Sequence, residues 1–176
     1  MSYKTNTDLR ELDIEKDAEA LHEIFGDPDS CKFLRKGPTD SVTETVERLK
    51  DWAGGFRAGK WAIADTQTDK ALGLVSLFDN GDSVWEIDIM VAPSWRGCGI
   101  GEDSLKTSID YAFGQLRARR IEADIDPDND VSLRLFERLG FQQEGYLREA
   151  AETHLGVRDT VLMALLNTDE IGRAHV

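Results

Sequence analysis

With 176 residues, 40% hydrophobic and 31% charged, the chain reads as one globular domain, 1–176, with a substantial core. No run of about 18 apolar residues is present, so no membrane-spanning helix is expected. A net charge of −13 argues against nucleic acid, which needs clustered Lys and Arg, and suits a cationic substrate or plain solubility.

The N-terminus, MSYKTNTDLRELDIEKD, is acidic and lacks the apolar centre of a secretion signal, so the cytoplasm is the expected location. Residues 8–14 alternate and predict a first strand. Ala18, Leu21 and Phe25 fall at helical spacing, and Gly26-Asp27-Pro28 ends that helix. A second helix is predicted from Ser41, with Val42, Val46, Leu49, Ala53 and Phe56 on one stripe and Gly54 and Gly55 weakening its end. The period then changes. Residues 61–66 and 71–78 predict strands, and Asn80-Gly81 signals a hairpin into a strand over 83–91. That strand alternates, with Trp85, Ile87, Ile89 and Val91 on one face and Glu86, Asp88 and Met90 on the other.

After Pro93, Leu105, Ile109, Ala112, Phe113 and Leu116 form a helical stripe. Residues 120–125 predict a short strand closed by Asp126-Pro127. Val131, Leu135, Phe136 and Leu139 predict a helix that stops at Gly140, and two strands follow over 141–148 and 159–166. This order describes a mixed α/β fold, neither doubly wound nor a run of βαβ units.

Between the 83–91 strand and the next helix lies WRGCGIG, with Gly97, Gly99 and Gly101 at alternate positions. A helix start offers unpaired amides and partial positive charge, and glycines let an anion come close to the backbone. Arg96 adds a cation, so the turn is suited to a phosphate or pyrophosphate. A Walker loop would need Gly-Lys-Ser/Thr, whereas Glu102-Asp103 follow here. A dinucleotide fingerprint would need G-x-G-x-x-G in a βαβ unit. Glu102 and Asp103 would repel phosphate unless they point away.

Arg96-Gly97-Cys98-Gly99-Ile100-Gly101 resembles the Arg/Gln-x-x-Gly-x-Gly/Ala acetyl-CoA motif of the GNAT N-acetyltransferases. NDVSLRLFERLGF (129–141) is similar to their N-x-x-S/A-x-x-L-Y/F-E-K-x-G-F segment. EGYLREA and GVRDTVLMALL resemble the last strands of the ribosomal-protein and spermidine acetyltransferase branches. The likeness covers residues 60–166 well and 8–58 only by element order. It implies a mostly antiparallel central sheet flanked by helices, with acetyl-CoA as cosubstrate. It further implies that the 83–91 strand splays from its neighbour, and that Ile89, Met90 and Val91 offer backbone to the pantetheine. The amides of Arg96, Gly97, Cys98, Gly99, Ile100, Gly101 and Glu102 would hold the pyrophosphate. Asn129 would bond near the pantetheine or the thioester; an ordinary helix cap is its other reading.

Acetylating an amine requires a proton acceptor, a donor to the oxyanion and departure of a thiolate. Glu86 and Asp88 lie on the polar face of the strand implied to contact the cofactor. Glu86 matches a substrate-side glutamate in the spermidine branch and is the first candidate for amine binding or base. Phe136 is expected at the cofactor and stands where many relatives have a tyrosine that protonates the thiolate. Ser132, one helical turn earlier on the same face, could donate instead. A thiolate whose thiol has a pKa of ~8.5 could also leave without an acid or take its proton from water.

Cys98 is expected to contribute only backbone. Cys31 and Cys98 are far apart and His22, His154 and His175 are scattered, so no metal is expected. The expected partner is an amine, most simply a cationic one, with neither nucleic acid nor membrane; a homodimer is compatible. Two rival readings stay open: an acyl-CoA-binding module that lost turnover, for which Phe136 speaks, and a nucleotide-binding module using the same loop.

Overall fold

The strands β1 (Thr7–Glu11), β2 (Arg57–Asp65), β3 (Ala71–Asp79), β4 (Val84–Val91), β5 (Arg120–Ile125), β6 (Gln142–Thr153) and β7 (Gly156–Leu166) form one sheet. Their order is β1-β2-β3-β4-β5-β7-β6. Every neighbouring pair is antiparallel except β4 and β5. The helices are α1 (Ile14–Phe25), α2 (Pro28–Cys31), α3 (Val42–Ala53), α4 (Ile100–Gly114) and α5 (Asp130–Arg138). This computed structural model describes residues 6–54 and 57–169, so Gly55, Phe56 and His175 lie outside it. The architecture is the mixed α/β, mostly antiparallel sheet with flanking helices that the sequence predicts.

The strand period of two sends alternate side chains to opposite faces, and each face has its own core. Trp85 and Ile87 of β4 pack with Leu105 and Ile109 of α4 and Phe136 of α5. Leu74 of β3 packs on the other face with Leu21 of α1 and Leu49 of α3, and Met90 of β4 joins them. The alternation read in 83–91 is thus realised.

β5 is committed to β7 along its whole length, from Arg120↔Leu166 to Ile125↔Val161. β4 is likewise committed to β3, from Asp79↔Trp85 to Gly73↔Val91. The two parallel strands meet only at Val84↔Arg120, Trp85↔Ile121 and Glu86↔Glu122. Beyond Glu86 they part and leave a fork. Among the described residues no strand pairs with β4 residues 87–91 on the β5 side. This is the splay that the resemblance implies.

Several sequence expectations are corrected. β1 ends at Glu11, because Asp13 turns to cap α1 and accepts from the Lys16 amide (3.2 Å). The single turn α2 was not anticipated; Asp27 caps it, and Pro28 occupies its first position. β2 starts at Arg57 rather than 61, and the last two strands run on to a tight hairpin at His154-Leu155. Val42 and Val131 are not core: they are 38% and 79% exposed. Val131 lies five residues before Phe136, about 140° around the helix from the buried face.

Candidate active site

A cleft of about 740 Å³ runs through the fork. From β4 it is lined by Glu86, Asp88, Ile89 and Met90, and from β5 and the turn after it by residues 123–126. α5 contributes Ser132 and Phe136, with Asn129 at its start. Glu86, Asp88 and Met90 share the face that carries α1 and α3, whereas α5 packs on the opposite face. The cleft therefore joins the two faces of the sheet.

At the mouth of the fork the turn into α4 is set by backbone geometry. Gly97 and Gly99 have φ of +74° and +84°, a region that side chains disfavour. Gly99 occupies the N-cap position of α4 with no side-chain cap, so the first-turn amides face outward unpaired, except that Asp103 N–H donates to Gly99 O (3.0 Å). Gly101 serves a different end. A Cβ there would lie 3.3 Å from Val91 Cγ2, so this glycine lets the helix start sit against β4.

Of the two acids that follow the turn, Glu102 is drawn away from it. Glu102 turns along the helix to Lys106 (2.8 Å) and to Arg138 of α5 (3.4 Å), away from the turn. Lys106 first, then Arg138, holds its carboxyl below the usual range. Arg96 donates from Nε to Val91 O (3.2 Å) and from its terminal nitrogen to Ser30 Oγ (2.6 Å), pinning the turn to α2. Cys98 is exposed, its thiol near Arg96 O. Val91 is beyond the cleft wall, while Ile89 and Met90 line it.

Asn129 Oδ1 accepts from Ser132 N–H (3.3 Å), so the capping role is realised. The turn before it is anchored from β7: Arg158 donates to both oxygens of Asp126 (2.8 and 2.9 Å), and Asp126 O accepts from Asn129 N–H (2.8 Å). That guanidinium holds the Asp126 carboxyl below its usual range. Phe136 is 3% exposed and packs edge-on against Phe141, ring centres 4.9 Å apart.

The structure thus brings Glu86, Ile89, Met90, Asn129, Ser132 and Phe136 to one cleft and gathers 96–102 at its open end. Sequence reasoning missed two contributors. Asp124 lines the cleft from β5; the alternation of Arg120, Glu122 and Asp124 was the signal for it. The segment after α2, with Phe33 to Lys36, forms the outer wall together with Trp52, and no local pattern marks it.

Comparison with known proteins fits a group-transfer enzyme built around this fork. A family model described as an acetyltransferase (GNAT) domain matches residues 7–142, and the chain belongs to this family of N-acetyltransferases. It is 27% identical over 175 residues to the uncharacterized N-acetyltransferase p20 of Bacillus licheniformis, covering 97% of this chain and 98% of that one. It is 22% identical over 161 residues to the spermidine N(1)-acetyltransferase of Vibrio cholerae, covering 90% and 92%. Among solved structures, a probable GNAT acetyltransferase from Chromobacterium violaceum superposes with a TM-score of 0.83 at 26% identity, covering 91% of this chain and 82% of that one.

Proposed function

We propose that this chain, as a single domain, transfers an acetyl group from acetyl-CoA to a primary amine by direct attack. The family uses acetyl-CoA, and the residues present suit it. The uncapped α4 amides with Gly97 and Gly99 can hold a pyrophosphate, and the strand edge at 89–91 can bond a pantetheine arm. When bound, the thioester supplies the activated acetyl group. On the opposite face Glu86 and Asp88 attract an ammonium, in keeping with the net charge of −13. The observation that carries this reading is the fork, through which both ligands reach one point from opposite faces. Ser132 or water returns a proton to the departing thiolate, since Phe136 has none to give.

A polyamine is one acceptor class, given the spermidine acetyltransferase relative. A protein N-terminus, an aminoglycoside or a small metabolite are others. The buried Phe136 favours a second reading, an acyl-CoA-binding module with little turnover. Release of thiol from acetyl-CoA in the presence of spermidine, a glycyl peptide, kanamycin and tyramine tests both. Amine-dependent release supports the enzyme. Coenzyme A binding by calorimetry without such release supports the module.

A further inference from the structure

We infer that Asp124, on β5, is the base that takes the proton from the ammonium before it attacks, leaving Glu86 to bind the amine. The inference rests on the acetyl-transfer reading above. β5 and the turn after it carry carboxylates at Glu122, Asp124 and Asp126, and the two outer ones are engaged. Glu122 accepts from Arg120 Nε (2.5 Å), and Arg158 takes both oxygens of Asp126. Asp124 has no hydrogen-bond partner among the described residues, and it lines the cleft.

Its place in the ladder matters as much. Glu86 and Glu122 form the last rung joining β4 to β5, and Asp124 is two residues beyond it, on the same face of β5 as Glu122. It is therefore the β5 carboxylate inside the open fork, facing the side from which the amine comes. Ser132 and Phe136 line the same cleft from α5. Asp124 is solvent-exposed in the cleft; partial desolvation by the cleft walls, and next the charge of Glu122, raises its carboxyl above its ordinary value. That narrows the gap to an ammonium.

Asp124 accepts one proton from R–NH3+ and becomes neutral. The freed lone pair forms the N–C bond to the acetyl carbonyl carbon, the C–S bond breaks, and its pair goes to sulfur. A second proton leaves nitrogen and ends on the thiolate, directly or through Ser132 or water. Asp124 then returns its proton to solvent, and the products are the amide and the free thiol.

The test uses Asp124→Asn in the full chain, with the best acceptor from the amine panel and with hydroxylamine, which is uncharged at mildly alkaline pH. Asp124→Asn should lower kcat/KM for the charged amine by about a hundredfold, as loss of a general base does. Coenzyme A affinity should stay the same, and hydroxylamine should be acetylated at near the wild-type rate. Equal losses for both nucleophiles, or a charged-amine rate within twofold of wild type, would overturn the assignment while leaving acetyl transfer intact. Absence of amine-dependent turnover in the wild type would instead bring down both readings.

Discussion

His154 Nδ1 lies 3.1 Å from Leu34 O, so the hairpin between β6 and β7 is tied to the segment after α2 across the mouth of the cleft. A carbonyl can only accept, so this ring nitrogen carries the proton. The contact is close-fitting: a Cβ on Gly37 would stand 3.1 Å from the His154 ring. Removing the tie with His154→Ala should loosen the outer wall. One hydrogen bond is worth about 1 kcal/mol, so the amine KM should rise about fivefold. Steady-state kinetics and calorimetry with coenzyme A check this, the cofactor affinity being expected to hold.

Gly99→Asp would place a carboxylate beside the first-turn amides of α4 and satisfy them internally. Coenzyme A affinity should fall at least about tenfold by titration calorimetry. Nothing lies within 4 Å of a Cβ at this position, but a side chain at φ +84° is strained, so Tm should fall somewhat while the circular dichroism spectrum at 25 °C stays that of the wild type. Unchanged affinity would remove the pyrophosphate from this turn.

Glu86→Gln should raise the amine KM about tenfold through loss of a charge-assisted contact, with kcat changed much less. Initial rates over a range of amine concentrations separate the two effects. A kcat loss as large as that expected for Asp124→Asn would move the base from β5 to β4.

Ser132→Ala is expected to keep kcat within about threefold, water supplying the proton to the thiolate. A fall of about tenfold or more would assign the proton to the serine. The measurement needs single-turnover conditions, so that product release does not mask the chemical step.

Asp126→Asn weakens the paired hydrogen bonds from Arg158 that anchor the turn before α5. The cost should be about 2 kcal/mol at neutral pH, or a drop in Tm of about 4–8 °C. Arg158 lowers the folded pKa of Asp126, so the carboxylate stabilises the fold above its unfolded value of about 4. That contribution is lost as pH falls through the depressed folded value. The Tm gap between wild type and variant should therefore narrow below about pH 4.

The parts of this site that obey a local rule were legible in advance. The alternation from Trp85 to Val91, the glycine turn and the Asn129 cap each follow from spacing along the chain. Glu86 could be placed on the correct strand face, yet its nearness to Asp124 depends on a parallel pairing between segments more than thirty residues apart. The pairing of Glu102 with Lys106 four residues on follows a local rule, whereas the reach of Arg138 from another helix was hidden. The wall formed by Phe33 to Lys36 had no periodicity to betray it. Its position comes from α2 and from contacts such as His154 with Leu34, which only tertiary structure supplies.

Three rungs at Val84–Glu86, preceded by Arg119 N–H donating to Ser83 O (2.9 Å), join a four-stranded half, β1 to β4, to a three-stranded half, β5 to β7. Beyond Glu86 the halves are held by side-chain packing through α4 and α5 and by the hydrogen bond from His154 to Leu34 O. With no ladder across the fork beyond Glu86, the separation of the two strands there is set by packing and side-chain bonds. A pantetheine arm lying along residues 89–91 would act as a clasp across the two halves. Its binding would stiffen the sheet far from the reacting atoms, and hydrogen exchange along β5 and β7 would slow together with exchange along β4.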